Sequence, residues 1–285
     1  MLPVAKIIWH ELNCSEQPER INEPEEAMDD PDQVAAYIQA YEWGGPTSAL
    51  QLHHLKELSH MIRPGDTVLD LACGPGPLLL ELAEIYPETQ FIGADLSPTM
   101  LKHIEQTAAK LALKNVSVLC EDVRLLPSIG EKEVDLVITT SALHHLPNEE
   151  VLRQVFSRIK SLLKDDGGFY IFDFGQLKSS KTRALCVADV ARLAPPITAK
   201  DYELSLQAAY PIDLIYQIAR EELPKPFAAS ASAFVDFFYF LQTNRRATPT
   251  NKVKRHTLQR SKSLSYSMHV EHFMLRWLKR SQIFQ

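Results

Sequence analysis

The chain contains few of the residues that mark several protein classes. Its four cysteines, Cys14, Cys73, Cys120 and Cys186, form no C-x-x-C pair, which argues against a disulfide framework or a cysteine zinc motif. Only ten glycines occur, and no apolar run approaches the ~20 residues of a membrane span. The first residues lack the apolar stretch of a secretory signal. Since 45% of the 285 residues are hydrophobic, we expect a globular, cytoplasmic protein.

Charge is unevenly distributed along the chain. Nine acidic residues lie between Glu11 and Asp32, against the single Arg20. Residues 243–285 hold ten Lys or Arg and one acid, Glu271, so this basic tail carries +9 and the rest of the chain −15. Such a tail is typical of an arm for nucleic acid or an anionic membrane, or of a segment that lies against the protein's own acidic entry segment. Composition alone leaves these alternatives open.

Hydrophobic periodicity predicts strands that alternate with helices over residues 64–174. The predicted strands span residues 66–72, 90–95, 116–120, 134–140 and 169–174, and the helices between them span 77–86, 98–113 and 148–163. Two further helices precede them at 32–42 and 47–61, after an irregular lead-in. Strands joined by helices indicate a parallel sheet covered on both faces, which is the α/β, doubly wound class.

A glycine-containing turn follows the first predicted strand, in the segment Asp70-Leu-Ala-Cys-Gly-Pro-Gly76. Ligands of doubly wound sheets bind beyond the carboxyl ends of the strands. Gly74 and Gly76 allow a tight turn and a close backbone approach, and the next helix directs its positive N-terminus at that place. Asp95 ends the second strand 21 residues after Gly74, where a carboxylate accepts hydrogen bonds from ribose hydroxyls. This arrangement predicts a nucleoside cofactor.

The same segment distinguishes between classes of cofactor. A dinucleotide site needs a third small residue in G-x-G-x-x-G, and Leu79 stands at that position. The carboxylate of Asp70 would repel a pyrophosphate but suits a cation such as an amino group. No G-K-[S/T] follows, which excludes a Walker loop. A cofactor with a methionine-like amino group is therefore preferred to NAD.

Five segments, in order, resemble motifs of the class I S-adenosylmethionine-dependent methyltransferases. The likeness is to the small-molecule branch that includes the ubiquinone/menaquinone C-methyltransferases, and it covers residues 64–174. The matching segments are 70–76, 93–97, 121–127, 135–147 and 158–168. The resemblance implies S-adenosylmethionine as cofactor. It also implies a Rossmann-like, mostly parallel seven-stranded sheet with helices on both faces.

The resemblance also implies roles for individual residues. Asp70 and Gly74 would hold the methionine end, Asp95 the ribose, and Asp122 the adenine edge. The full set assigned to the cofactor is Asp70, Ala72, Cys73, Gly74, Gly76, Asp95, Leu96, Met100, Asp122, Val123 and Ser141. Ala72 departs from the family, which often has Gly there. Cys73 is expected to be a small buried filler without a redox role.

Other residues near the strand ends are candidates for the acceptor side of the reaction. His144 and His145 follow the fourth strand, where a neutral imidazole would accept a proton from a substrate. The alternative is that one histidine packs in the interior and the other forms a hydrogen bond with the backbone. Asp173, which ends the fifth strand, and Tyr41 are predicted to contact substrate. The histidines form no H-x-x-x-H or E-x-x-H pattern, so no metal is expected.

The chain divides into four predicted regions. Residues 1–62 form a lead-in and helical cap, 63–175 the cofactor-binding core, 176–242 a substrate cover with the closing strands, and 243–285 the basic tail. An aromatic segment at 233–241 is predicted to be a closing strand. The aromatic residues of the cap form either a lid over the cofactor or part of the core: Tyr37, Tyr41 and Trp43.

The tail is predicted to form a basic amphipathic helix over residues 263–284, with apolar Leu264, Met268, Phe273, Met274, Trp277 and Leu278. Docking on the core or pairing two subunits into a homodimer is preferred to membrane or nucleic-acid binding. Two covers over one cavity favour methyl transfer to a small, partly apolar acceptor by in-line displacement. The alternatives are an RNA or protein methyltransferase that docks through the tail, and a non-catalytic partner protein with this fold.

Overall fold

The computed structural model describes residues 4–16, 18–24, 30–277 and 279–285. Their strands are β1 Thr67–Leu71, β2 Gln90–Asp95, β3 Val116–Cys120, β4 Val134–Thr140, β5 Leu163–Phe174, β6 Phe227–Ser232, β7 Phe238–Thr243 and β8 Lys279–Phe284. They form one sheet in the order β3-β2-β1-β4-β5-β7-β6-β8, in which β1 to β5 are parallel and the last three antiparallel. The order reverses between β1 and β4, which places the ligand-binding crevice at their carboxyl ends.

The helices begin and end where the local sequence requires it. Their bounds are α1 Val4–Leu12, α2 Pro31–Tyr41, α3 Ser48–Leu58, α4 Pro77–Ile85, α5 Pro98–Lys110, α6 Glu149–Leu162, α7 Ser180–Val190, α8 Pro196–Ala208, α9 Ile212–Glu222, α10 Asn251–Lys262 and α11 Tyr266–Trp277. Ser97 caps α5, because its side chain accepts a hydrogen bond from the backbone N–H of Met100.

Two apolar layers enclose the sheet, because successive strand residues point to opposite faces. On one face Val68 and Leu136 pack with the helices α3, α4 and α5. On the other face their neighbours Leu69 and Val137 pack with α6 and α9. The predicted α/β class with helices on both faces is therefore confirmed.

Four helices outside the parallel core, α1, α2, α7 and α8, pack together beside the carboxyl ends of its strands. Helix α1 packs on α7, α2 packs on α8, and α7 packs on α8. A small apolar cluster joins α1, α7 and α8, and it includes Ile7, Cys186 and Leu206. At the opposite flank, α10 and α11 pack on α3.

Three predictions about the flanks are wrong. The lead-in is not irregular throughout, since residues 4–12 form α1 and bury Ile7. The aromatic strand begins at Phe238 rather than at residue 233. The predicted tail helix ends at Trp277, and residues 279–284 form a strand that pairs with β6. The described sheet therefore has eight strands, whereas seven are predicted. Without this strand, β6 would be an edge strand with unpaired backbone N–H and C=O groups, and residues 279–284 pair with those groups. Glu25, Glu26, Asp29 and Leu278 of the predicted segments lie outside the described residues.

Candidate active site

Two cavities lie side by side at the carboxyl ends of β1, β4 and β5. The smaller has a volume of about 120 Å³ and the larger about 340 Å³. Tyr37, Ser141 and His145 line both of them. These three residues therefore form the junction between the two cavities.

The loop after β1 is held by the end of β2. One carboxylate oxygen of Asp95 accepts a hydrogen bond from the backbone N–H of Gly74 at 2.8 Å, and the other accepts one from Ser97 at 2.9 Å. Gly74 and Gly76 have φ angles of 55° and 67°, which is the left-handed region that favours glycine. Helix α4 begins directly after Gly76, so its free N–H groups face this loop.

Asp70 is a buried acid under this loop. Burial, together with the charge of nearby Asp95, raises the pKa of Asp70 to about 8. A buried carboxyl group with so high a pKa ionises when a cation is placed beside it. The site is therefore suited to a positively charged group of a ligand.

Eight of the eleven residues assigned to the cofactor line the smaller cavity: Ala72, Gly74, Asp95, Leu96, Met100, Asp122, Val123 and Ser141. Asp70, Cys73 and Gly76 lie behind this lining. Cys73 packs against Gly93, where an added Cβ would meet its sulfur at 2.8 Å. Burial raises the pKa of the Cys73 thiol well above its usual range, which suits the predicted inert filler.

An arginine that the motifs do not assign also lines the smaller cavity. Arg124 Nε donates to both carboxylate oxygens of Asp122, at 2.9 Å and 2.7 Å. This pair holds the pKa of Asp122 below its usual range. The Asp122 carboxylate is thus fixed at the cavity wall in its charged form.

Hydroxyl groups meet at the junction of the two cavities. Tyr37 and Tyr41 stack with ring centroids 4.7 Å apart, and the Tyr41 hydroxyl lies close to those of Tyr37 and Ser141. Ser141 has a φ of 55°, which turns the chain sharply after β4. Tyr41 lines the larger cavity, as its predicted contact with substrate requires. Trp43 lines neither cavity, because its indole donates to Ser263 and its ring lies under Arg260.

The first of the two histidines is buried and fixed by an acid. His144 Nδ1 lies 2.7 Å from Asp173 Oδ1, and the backbone N–H of His144 donates to Asp173 Oδ2 at 3.0 Å. The Asp173 side chain also accepts from the backbone N–H of Phe174 and lines neither cavity. Asp173 is therefore placed to orient His144. The sequence predicts that Asp173 contacts substrate, but its side chain reaches neither cavity.

The second histidine pairs with an acid from the lead-in. His145 Nδ1 lies 3.1 Å from Glu23 Oε2, and His144 Nε2 lies 3.7 Å from Glu23 Oε1. Burial alone would raise the pKa of Glu23, but the hydrogen bond and charge of His145 outweigh it and lower that pKa. Sequence reasoning missed Glu23, because it is one of nine acids in a segment predicted to be irregular.

Arg20 fixes the segment that carries Glu23. Its guanidinium donates to the backbone carbonyl groups of Ala208 and Pro147, and to those of His144 and Leu146. It also stacks on the Tyr210 ring at 3.9 Å from the centroid. The lead-in is thereby attached to the loop after β4.

Both predicted covers line the larger cavity. The amino-terminal helices contribute Ile7, Ile8 and Tyr41, and α7 and α8 contribute side chains including Val190 and Tyr202. The wall is mostly apolar, with acids at Glu23, Asp189, Asp201 and Glu271.

Several cations of the basic tail contact acids of the core. Arg260 Nε donates to Glu81 Oε1 at 2.6 Å, and His256 lies 2.7 Å from the same oxygen. Arg246 pairs with Asp66 at 3.3 Å. These acids belong to the core, so the contacts differ from the predicted ones with the acidic entry segment. None of the helices in the described part of the chain has the length and apolar character needed to cross a bilayer.

Residues 62–210, just over half of the chain, match a family model described as a methyltransferase domain. Among curated proteins the chain is 31% identical over 108 residues to N-methyltransferase 4 of Papaver somniferum, covering 38% of this chain and 30% of the relative. It is 34% identical over 96 residues to (S)-tetrahydroprotoberberine N-methyltransferase of Eschscholzia californica, covering 34% and 27%. The matched part of the chain thus spans about 30% of the length of these relatives.

Solved structures share the fold at low sequence identity. A SAM-dependent methyltransferase from Aquifex aeolicus has a TM-score of 0.54 at 18% identity, covering 75% of this chain and 98% of its own. The plantazolicin methyltransferase BamL, solved with SAH, has a TM-score of 0.57 at 15% identity, covering 84% and 87%. Because the family model covers just over half of the chain, the chain belongs to the methyltransferase domain family.

Proposed function

We propose that this enzyme methylates a small, largely apolar acceptor held in the larger cavity. The observation that carries the proposal is the meeting of the two cavities at Tyr37, Ser141 and His145. The smaller cavity contains most of the residues that the family resemblance assigns to the cofactor, and the larger has room for an acceptor. A methyl group would pass between them at this junction.

The residues of the smaller cavity fit the cofactor. The buried carboxyl group of Asp70 suits its amino group, and the carboxylate of Asp95 stands where ribose hydroxyls would donate to it. The N-terminus of α4 faces the same loop and favours a carboxylate. Bound there, S-adenosylmethionine supplies a methyl group already activated by the sulfonium charge.

The protein's own contribution is positioning and the exclusion of water. Apolar side chains from α1, α7 and α8 enclose the larger cavity, and Tyr37, Ser141 and His145 form its boundary with the smaller one. His145 lies at that boundary beside Glu23. In-line transfer needs the acceptor atom at this boundary, directed at the methyl carbon.

The enclosed, mostly apolar lining supports a small molecule over a macromolecular acceptor. The names of several relatives support it too, since they include (S)-coclaurine N-methyltransferase. The tail cations Arg246 and Arg260 are engaged with Asp66 and Glu81, which does not favour an RNA-docking arm. The narrower likeness to ubiquinone/menaquinone C-methyltransferases stays a prediction.

Filling the larger cavity tests the proposal. Ala233 lines that cavity, and Ala233→Trp should lower turnover at least tenfold on acceptors found by release of S-adenosylhomocysteine, while the affinity for that product stays unchanged. Ala109→Trp, on the exposed face of α5, is the control and should retain turnover. Equal turnover in the Ala233 variant, or activity confined to RNA or protein, would refute the small-molecule assignment.

A further inference from the structure

We propose that Glu23, His144 and His145 form a site for one divalent transition-metal ion, with zinc as the first candidate. Each side chain offers one donor atom, and these atoms all lie within 4.8 Å of one another. Glu23 Oε1 is 3.7 Å from His144 Nε2, and Glu23 Oε2 is 3.1 Å from His145 Nδ1. Neighbouring ligands of a tetrahedral zinc ion are roughly 3.4 Å apart, so the side chains need only small shifts.

The state of His144 points to a ligand. Its Nδ1 is engaged by Asp173 Oδ1 at 2.7 Å, which places the proton on Nδ1 and leaves a lone pair on Nε2. That Nε2 atom is buried without a hydrogen-bond partner, in a side chain only 2% exposed. Histidine ligands of metals commonly donate their other N–H to a carboxylate, as here. A metal ion would satisfy the buried lone pair.

The charges around the cluster favour a cation. The carboxylates of Asp173 and Asp201 accompany Glu23, and Asp201 lies close enough to act electrostatically on both Glu23 and His145. Arg20 is a nearby positive charge, but its guanidinium is directed at backbone carbonyl groups of the loop after β4. Ser205 donates to Glu23 Oε1 at 2.9 Å and steadies that carboxylate.

The donor set also selects the class of metal. Two imidazoles and one carboxylate suit zinc and its neighbours rather than magnesium or calcium, which prefer oxygen alone. Three protein ligands are the usual number in zinc sites that keep one position open. All three residues line the larger cavity, so the open position faces it.

An oxygen atom of the acceptor would fill this fourth position and be held next to the junction of the two cavities. This last assignment rests on the proposed function, whereas the metal site does not. With an ion bound, both imidazoles are ligands. The sequence predicts that one of these histidines accepts a proton from substrate. Because a metal ligand has no free lone pair for that proton, this role would be restricted to the metal-free protein.

Titration of the full chain with Co²⁺ after chelator treatment tests the site without any acceptor or cofactor. We expect visible absorption bands typical of low coordination, one Co²⁺ per chain, and displacement by Zn²⁺. Glu23→Gln and His144→Asn should each weaken Co²⁺ binding by more than about 100-fold. Asp173→Asn, which disturbs a positioning residue, should weaken it by about 10–100-fold.

Glu271→Gln is the matched control, because it removes an acid from the same cavity without removing a donor of the cluster. It should bind Co²⁺ like the wild type, and circular dichroism should show that every variant is folded. Equal binding by the wild type and Glu23→Gln would overturn the proposal. A sulfur-to-cobalt charge-transfer band would overturn it too, because it would place the ion on one of the four free cysteines.

Discussion

The carboxylate of Asp95 accepts a hydrogen bond from the backbone N–H of Gly74, across a distance of 2.8 Å. A second N–H, that of Ser97, donates to the other carboxylate oxygen. One side chain therefore fixes both the loop after β1 and the start of α5. The smaller cavity lies between these two elements.

Replacing Asp95 with Asn should weaken binding of S-adenosylhomocysteine about 10-fold to 100-fold. An amide has one acceptor oxygen, so one of the two backbone N–H groups loses its partner, and a charged acceptor for ribose is lost as well. Titration calorimetry measures the affinity. Glu121→Gln is the control, since Glu121 accepts from Ser128 and does not line the cavity. Unchanged affinity in Asp95→Asn would contradict the role assigned to Asp95.

Binding of S-adenosylmethionine near neutral pH should release a proton from Asp70. With a pKa of about 8, this carboxyl group is mostly protonated at pH 7, and a cationic amino group beside it favours the ionised form. Calorimetry in buffers with different ionisation enthalpies measures the number of protons released. The value should be up to about one proton higher for the wild type than for Asp70→Asn. Identical values for the two proteins would show that Asp70 does not titrate on binding.

Ala72→Gly should raise the free energy of unfolding by up to about 1 kcal/mol. Ala72 has a φ of 51°, which strains a residue with a Cβ, and glycine relieves this at a smaller cost in chain entropy. Ala184→Gly, at an exposed position inside α7, should instead lose about 1 kcal/mol. Urea unfolding compares the two, and a loss in both variants would refute the strain at Ala72.

The enzyme should lose stability as the pH falls below 6.5. Burial lowers the pKa of His54 to about 3, and the charge of Lys279 makes a smaller contribution. Burial also lowers the pKa of His272 to about 4, and nearby cations add to this effect. Between these folded-state pKa values and pH 6.5, the unfolded chain binds more protons than the folded chain. The free energy of unfolding therefore falls by at most about 1.4 kcal/mol per pH unit for each histidine as the pH is lowered.

Urea unfolding at a series of pH values checks this expectation. His54→Gln should flatten the dependence of stability on pH over that window, even though it removes the contact between His54 Nδ1 and the Tyr170 hydroxyl at 2.7 Å. His269→Gln, at an exposed position of α11, is the matched control. An equal slope in wild type and His54→Gln would mean that His54 does not titrate on unfolding.

The parallel core was predictable because its signals are local. Hydrophobic periodicity predicts β2, β3 and β4 with their observed bounds. The sequence placed Gly74 after the first strand and Asp95 at the end of the second, but it did not predict the hydrogen bond that joins them. Local patterns of this kind are independent of the rest of the chain.

The flanks were less predictable because their structure depends on distant partners. Lys279–Phe284 forms a strand since the edge of β6 is available, which no local pattern shows. Glu23 lies 121 residues before His144, and no spacing rule connects them. The sequence leaves open whether Trp43 is a lid residue or part of the core, whereas its observed partners, Ser263 and Arg260, lie in the tail.

The two cavities draw on different parts of the chain. Apart from Tyr37, the lining of the smaller cavity comes from residues 72–151, whereas the larger is built mainly from segments before and after that stretch. Substitutions in the flanking segments would therefore change the lining of the larger cavity and leave that of the smaller cavity unchanged, apart from Tyr37. Under the proposed function, replacing the flanks would change the acceptor and would leave the cofactor cavity in place, apart from Tyr37.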